Sequence, residues 1–154
     1  MAESQIKEIF NRIAAIGIMQ NGTPIVGRDL LNISTVVNET PTRIISPLTD
    51  KNEGKKATIM TLGNQSQVDW TVTDLLLFRD TSDGTGLEDD MRWLVEYMGQ
   101  YVVTMRENHK LGFTNYHVRI TSVDVEIGVY RYPIAGDKFY HGAKATLIVH
   151  EIIP

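Results

Sequence analysis

The pattern of hydrophobic and polar positions predicts a helix near the start of the chain. Apolar side chains recur at three- and four-residue spacing from about Glu3 to Ile16, which places them on one side of a helix. This apolar stripe consists of Ile6, Ile9, Phe10, Ile13 and Ala14. Ser4 or Glu3 can cap the first turn, and Gly17 is expected to end the helix. We therefore expect this helix to bury one side against the rest of the domain.

A longer helical pattern follows the glycine-containing loop of residues 83–86. Its apolar positions keep helical spacing without a break, and they are Leu87, Met91, Leu94, Val95, Met98, Tyr101, Val102 and Met105. Acids in its first turn and basic residues in its last turn complement the helix dipole. These are Glu88, Asp89 and Asp90 at the start and Arg106, His109 and Lys110 at the end. Gly112 is expected to end the helix.

Alternating apolar and polar positions predict four strands in two hairpins. The first two are Ala57 to Leu62 and Val68 to Phe78, and the second of these is apolar on both faces near its end, which predicts a central strand. The last two are Tyr116 to Tyr132 and Phe139 to Ile153. The alternation slips by one position at Thr121–Ser122, which is what a β-bulge produces.

These elements predict an α+β fold. We expect a mainly antiparallel sheet with an N-terminal helix and a long central helix packed on one face, followed by a long C-terminal hairpin. Residues 1–154 are expected to form a single domain, because the chain shows no internal repeat and no change of composition that marks a boundary. Residues 20–56 are rich in Gly, Pro, Asn and Thr, and we expect a loop-rich segment there with short strands and turns, in which long loops can be mobile. The charged loop from Asp50 to Lys56 can order on a partner.

The composition fits a folded domain and narrows the chemistry. Of the 154 residues, 42% are hydrophobic and 22% are charged, and the net charge of −4 argues against a surface that grips nucleic-acid phosphates. The chain has no cysteine, which excludes disulfides, thiolate zinc sites and cysteine nucleophiles. It shows neither a signal-peptide pattern nor an apolar run long enough to cross a bilayer, so we expect an intracellular protein without a membrane segment.

The stretch from Phe78 to Trp93 is the part of the sequence most suggestive of ion binding. Its acids are Asp80, Asp83, Glu88, Asp89 and Asp90. Counted from Asp80 as a calcium loop, the sixth position is Thr85 instead of glycine and the twelfth is Met91 instead of glutamate. The glycine spacing of a phosphate-binding loop is absent as well. We interpret the stretch as a strand-to-helix junction in which Thr85 or Asp83 caps the helix and three acids lie against its positive end.

The histidines form no recognised catalytic or metal-binding pattern. His141 and His150 are an odd number of positions apart on one strand, so they face opposite sides of it, and we expect histidines on the strand surface. Neither a zinc-protease motif nor a nucleophile elbow occurs, and we predict no catalytic residue, metal ligand or cofactor. An enzymatic alternative stays open, in which His117 or His141 acts with Asp124 in a pocket between sheet and helices and has a shifted pKa.

Three stretches together carry a resemblance to a family of assembly proteins. They are the strand "WTVTDLLLF" (residues 70–78), the helix "LVEYMGQYVVTMRENHKLG" (94–112) and the ending "VEIGVYRYPIAGDKFYHGAKATLIVHEI" (125–152). In this order, with the acidic glycine loop between strand and helix, they resemble tail terminator (tail-completion) proteins of tailed bacteriophages and prophages. The resemblance covers about Val68 to Ile152.

The resemblance implies a non-enzymatic virion protein in the virion tail, assembled in the host cytoplasm. Such proteins form a homo-oligomeric ring, here expected to be a hexamer, that caps the tail tube. The implied partners are the tail-tube protein and the head–tail connector protein, and DNA passes through the ring without specific binding. The negative net charge suits such a passage. The alternatives are another head–tail connector, a tail-tube protein, or the small enzyme described above.

Under this hypothesis two polar segments and one strand are the expected contact surfaces. The loop from Asp50 to Lys56 and the hairpin tip from Pro133 to Lys138 are expected to contact partner proteins. The candidate partner-binding residues are Asp50, Lys51, Asn52, Glu53, Lys55, Lys56, Asp137 and Lys138. The strand of residues 116–132 is expected to meet the neighbouring subunit through its charges and its backbone edge. The candidate subunit-contact residues are Arg119, Asp124, Glu126 and Arg131.

Overall fold

A computed structural model describes residues 4–28, 40–46, 57–61, 66–114, 117–132 and 138–154. The helices in this part of the chain are α1 (Ile6–Ala15) and α2 (Leu87–Glu107). The strands are β1 (Ile18–Gln20), β2 (Thr23–Ile25), β3 (Gly27–Arg28), β4 (Thr42–Ser46), β5 (Ala57–Thr61), β6 (Ser66–Asp80), β7 (Val118–Arg131) and β8 (Phe139–Ile153). A short 3-10 turn, Thr81–Asp83, joins β6 to the loop before α2.

The main sheet is built around β6. Its strand order is β3-β4-β6-β8-β7, and β5 pairs with β6 as well. The β3–β4 pairing is parallel and the other described pairings in this sheet are antiparallel. β1 and β2 form a separate hairpin, whose Asn21–Gly22 turn has positive φ at both positions, as a tight hairpin turn requires. The α+β fold, the central position of β6 and the C-terminal hairpin are confirmed.

Both helices contribute to one core on the same face of the sheet. α1 buries Ile9 and Ile13, and α2 buries Leu94 and Met105 against the strands. The sheet side of this core consists of Ile45, Val72, Leu76, Ala143, Ala145, Leu147 and Val149. The predicted apolar faces of α1 and of the last strand are therefore the buried ones.

A bulge in β6 turns two consecutive side chains towards α2. The pairing of β6 with β8 shifts register between Leu77 and Arg79, and a bulge of this kind aims neighbouring residues at the same face. The Phe78 ring stacks on Trp93 with 4.1 Å between ring centroids. Arg79 Nε lies 3.0 Å from both carboxylate oxygens of Asp90. The bulge thus fixes the N-terminal part of α2 over the end of the sheet.

A second bulge lies in β7, at the place where the sequence predicts one. The register with β8 shifts between Ile120 and Ser122, which confirms the predicted slip at Thr121–Ser122. The Ile120 N–H donates to the carbonyl of His109 at 2.6 Å, so this bulge also fastens the turn after α2 to the sheet. The phase of the alternation in the sequence was therefore a reliable guide to the strand's geometry.

A buried ion pair between Arg43 of β4 and Asp74 of β6 lies in the middle of the core. Both side chains are fully buried, and Arg43 meets Asp74 through two nitrogens, at 2.6 and 3.1 Å. The remaining guanidinium hydrogens reach the carbonyls of Ile13, Ile16 and Ile25. Burial by itself lowers the pKa of Arg43, but the Asp74 carboxylate more than offsets this, so its pKa stands above the usual value.

The hydroxyl of Tyr101 completes this buried cluster from the side of α2. It donates to Asp74 at 2.6 Å, and Tyr101 is itself fully buried. Arg43 therefore joins the carbonyl end of α1, strand β2 and strand β6, while Asp74 ties β6 to α2. Every charged hydrogen-bonding group in this cluster has a partner, which is the condition under which buried charges are tolerated.

The helix ends differ from the sequence prediction in three places. The first is the start of α1, which lies at Ile6 instead of Glu3. α2 ends at Glu107 instead of Gly112, because Leu111 and Gly112 take positive φ in a turn that leads to β7. The N-cap of α2 is Gly86 instead of Thr85 or Asp83, and the Asp89 carboxylate accepts the Gly86 N–H at 3.1 Å. A glycine cap suffices here because the third residue of the helix supplies the side-chain acceptor.

The start of α1 is held by a residue from the last strand. Ser4, one of the two predicted caps, accepts the Ile6 N–H at 3.1 Å. The buried carboxylate of Glu151 accepts from the Ser4 hydroxyl, from the Gln5 N–H and from the Trp70 indole. Glu151 therefore acts as the anion at the positive end of α1.

The sheet face away from the helices carries a smaller apolar cluster. Its buried members are Ile44, Leu75, Leu77, Tyr130, Tyr132 and Tyr140. The Tyr132 N–H donates to the carbonyl of Lys138 at 3.2 Å, which brings the two strands of the C-terminal hairpin together beside this cluster. Both faces of the sheet are thus apolar near its centre.

We predict that Arg43→Met lowers the free energy of unfolding by about 3–5 kcal/mol, because it leaves the Asp74 charge buried without its counter-ion. The double variant Arg43→Met/Asp74→Leu is expected to lose less than the single variant, since no uncompensated charge remains. Urea unfolding at pH 7 measures both. Arg92→Ala, which removes an exposed i,i+4 pair, serves as the control and should cost less than about 1 kcal/mol. Equal losses for the single and double variants would contradict this account.

Alkaline pH is expected to destabilise the fold through the tyrosines of α2. Burial raises the pKa of Tyr97 and of Tyr101, with a further increase from the Asp74 carboxylate, against which Arg43 acts in the opposite direction. Above pH of about 10 the unfolded chain loses these protons and the folded chain keeps them, so stability falls as pH rises. Tyr97→Phe should reduce the slope by about 1.4 kcal/mol per pH unit. Chemical unfolding between pH 9 and 11 tests this, and an unchanged slope would refute it.

Candidate assembly interface

Strand β7 forms one edge of the main sheet. It pairs with β8 along one side over Val118–Arg131, and no described strand pairs with its other side. This edge extends over 14 residues, so it presents a long row of backbone N–H and C=O groups outward. A neighbouring strand of another molecule is a physically suitable partner for such an edge.

The predicted subunit-contact residues lie on this strand, and they are exposed. Asp124 and Glu126 point away from the helices, opposite Thr146 and Lys144 of β8. Arg119 lies before the bulge, opposite His150, on the same face as these acids. Arg131 lies at the far end of the strand, where its alternation places it towards the helix side. The structure thus brings three of the four onto one face.

The apolar stripe of α2 is only partly buried, which differs from the sequence prediction. Leu94, Tyr101 and Met105 belong to the core, whereas Val95 is 48% and Val102 is 45% exposed. Met91 is also exposed and Met98 is half-buried. The reason is the width of the apolar sector: these residues extend around more of the helix than one packed sheet can cover. We call these four residues, Met91, Val95, Met98 and Val102, the exposed side-stripe of α2.

This side-stripe faces the free edge of β7. A groove of about 500 Å³ lies between the C-terminal half of α2 and the β7 bulge. It is lined by Val102, Met105 and Arg106 on the helix, by His109 in the turn after it and by residues 120–123 on the strand. Further along β7, Val123, Val125 and Ile127 are half-buried beneath the helix. The side-stripe and the helix-facing side of β7 thus form one apolar surface beside the unpaired edge. The width of the apolar sector was the sequence signal that could have revealed it.

The predicted partner-binding residues fall mostly outside the described part of the chain. Asp50, Lys51, Asn52, Glu53, Lys55 and Lys56 all lie there, as does Asp137. Lys138 is described and exposed, at the start of the second strand of the C-terminal hairpin. Phe139, which follows it, is 45% exposed. The hairpin end thus presents a cation and an aromatic ring to solvent.

His141 is buried, contrary to the expectation of a surface histidine. Its Nδ1 lies 2.7 Å from Asp90 Oδ2, and both side chains are nearly inaccessible. Asp90 also holds Arg79, so it does more than lie against the positive end of α2. The β6 bulge causes this arrangement, because it places Arg79 on the helix side of the sheet. No local pattern in the sequence predicts this pairing, since Asp90 and His141 are 51 positions apart.

The residues of the enzymatic alternative are not brought together. Asp124 is exposed on the sheet face away from the helices, whereas His141 lies on the helix side with Asp90. His117 is half-buried just before β7, and His150 pairs with Asp69 at 2.8 Å. Within the described ranges, no group of three or more histidine, aspartate or glutamate side chains has the geometry of a metal site.

Comparison of the sequence with protein-family models and with curated proteins finds no match. In the part of the chain that the structure describes, no helix combines the length and the apolar character needed to cross a membrane. The longest helix, α2, carries acids in its first turn and charged residues along its outer side.

Asp90→Ala is expected to lower the free energy of unfolding by about 2–3 kcal/mol, because it leaves Arg79 and the buried His141 without their acceptor. The neighbouring variant Asp89→Ala is the matched control. It removes a single exposed bond to Gly86 and should cost only about 0.5–1 kcal/mol. Urea unfolding of both variants measures the difference. If the two losses are equal, the buried cluster does not stabilise the fold.

Proposed function

We propose that this chain is a non-enzymatic assembly protein of a phage tail, similar to tail terminators, that forms a homo-hexameric ring on the end of the tail tube. The observation that carries the proposal is the outer edge of β7, with which no described strand pairs, next to the exposed side-stripe of α2. An apolar helix side and a free strand edge that lie side by side offer the two kinds of contact from which subunit interfaces are made.

The exposed apolar side chains of the α2 side-stripe lie in one line along the helix. Met91, Val95, Met98 and Val102 follow one another at spacings of four, three and four, so they form a continuous line along the helix. Single exposed apolar residues are normal on a protein surface, but a contiguous apolar patch is typical of an interaction site. The groove at the β7 bulge extends this patch to the end of the helix.

The resemblance of residues 68–152 to tail terminators supplies the biological setting of the proposal. In that setting the ring ends growth of the tail tube, binds the head–tail connector on its other side and remains in the virion tail. A net charge of −4 is compatible with DNA passing through the ring without binding. Lys138 and Phe139, described residues at the end of the C-terminal hairpin, are exposed and well placed to contact a tube or a connector.

We expect native mass spectrometry to find a six-subunit species of this chain, either alone or on purified tail tubes, and negative-stain images to show single rings. A strict monomer in both conditions would refute the proposal. Long cylinders without tubes added would instead indicate a tail-tube protein.

A pair of matched substitutions on α2 links the ring to the proposed surface. Val95→Glu places a charge in the side-stripe and should weaken association at least tenfold, because burying a charge against apolar groups is costly. Val103→Glu makes the same change at a similarly exposed position outside the side-stripe and should assemble as the wild type does. Circular dichroism confirms that both variants fold.

A further inference from the structure

The charges of β7 disfavour pairing of this strand with itself. Asp124 and Glu126 lie on the same face, two positions apart. If two copies paired antiparallel about a two-fold axis near Val125, Asp124 of one copy would face Glu126 of the other. If the axis lay at either acid, that acid would face the identical acid of the other copy. Parallel pairing in register would also place identical acids opposite each other. Like charges directly opposite one another destabilise a sheet. The register that instead places Arg119 opposite Asp124 puts the two β7 bulges against each other, where the ladder of hydrogen bonds is interrupted. The free edge therefore favours a different surface as its partner.

The opposite side of the sheet carries the complementary features. β3 is the strand at that side, and Val26 just before it is 58% exposed. Met19 of the β1–β2 hairpin is 48% exposed. β1 lies in the helix layer, since the Gln20 side chain donates to the carbonyl of Trp93 in α2. This side therefore presents two exposed apolar residues, Met19 at the level of the helices and Val26 just before β3.

Arg28 provides a positive charge on the other face of this same side. It pairs with Ile44 of β4, and Ile44 belongs to the cluster on the face away from the helices. Its charge acts on Tyr132 in that cluster: burial raises the pKa of Tyr132, and Arg28 opposes the shift. Arg28 thus lies on the same face of the sheet as Asp124 and Glu126, at the opposite edge.

We propose that neighbouring copies of this chain meet head to tail, with the β7 side of one copy against the β3 side of the next. In this contact the side-stripe of α2 packs on Val26 and Met19, and Asp124 and Glu126 face Arg28. The proposal rests on the function given above and specifies which two surfaces of the chain form the contact.

The two layers of this contact match without turning either copy over. Apolar residues meet in the helix layer, and opposite charges meet on the other face, so successive copies keep the same face of the sheet on the same side. A contact between two different surfaces repeats from copy to copy, and it generates a ring when the rotation closes. A two-fold contact would stop at two copies.

A charge exchange tests the pairing. Asp124→Arg/Glu126→Arg should shift the native mass from the ring to the monomer, because it places cations opposite Arg28. Adding Arg28→Glu to the same chain should restore the ring. Glu107→Arg, an exposed charge reversal at the end of α2, is the control and should leave the ring intact. Failure of Arg28→Glu to restore a folded variant's ring would overturn the assignment of the charged contact.

A mixing experiment tests the head-to-tail arrangement independently of Arg28. Val95→Glu disables the β7 side and Val26→Glu disables the β3 side, so each variant alone should be monomeric. Mixed, they should form a 1:1 dimer and nothing larger, because one intact surface of each kind remains. If the folded Val26→Glu variant forms rings by itself, the β3 side is not part of the contact.

These outcomes separate the inference from the proposed function. If the wild-type chain forms rings and both the Val26→Glu variant and the double arginine variant form them too, the head-to-tail assignment is overturned. The proposed assembly function would then still stand. A wild-type chain that stays monomeric on tail tubes would overturn the function itself.

Discussion

The ion pair of Arg43 and Asp74 is the interaction on which the relative positions of the helices and the sheet depend. Arg43 donates hydrogen bonds to carbonyls at the end of α1 and to one carbonyl of β2. Asp74 accepts a hydrogen bond from the hydroxyl of Tyr101 in α2. Both helices are thereby anchored to the same two groups, the guanidinium and the carboxylate at the centre of β4 and β6. Because α2 is fixed in this way, its wide apolar sector extends past the core towards β7, and the side-stripe remains uncovered.

Periodicity alone predicted the elements that local sequence controls. The start of α2, the strands of the C-terminal hairpin and the bulge in β7 all follow from spacings within about twenty residues. The end of α2 did not, because the prediction relied on Gly112 as the stop signal, while the bond from Ile120 to His109 draws the chain into a turn before that glycine. That bond joins positions which are close in the chain but belong to different elements, so the hydrophobic periodicity does not predict it.

The polar clusters were beyond prediction for a related reason. Arg43 and Asp74 are 31 positions apart, and Asp90 and His141 are 51 apart, so neither pair leaves a motif in the sequence. The charged residues of the candidate interface were found as charges on an alternating strand. Their place at the edge of the sheet depends on β8 lying between β6 and β7, an order that alternation does not specify.

The anchoring of α1 by Glu151 has a consequence for how the chain folds during synthesis. The contact from Ser4 to Glu151 spans 147 positions, so the first helix lacks its acceptor until the last strand has left the ribosome. Long-range contacts of this kind delay folding until their loops can close. An unfinished chain therefore cannot complete the layer in which α1 and α2 lie side by side. Synthesis of the last strand is thus the step that allows the helix layer to take its final arrangement.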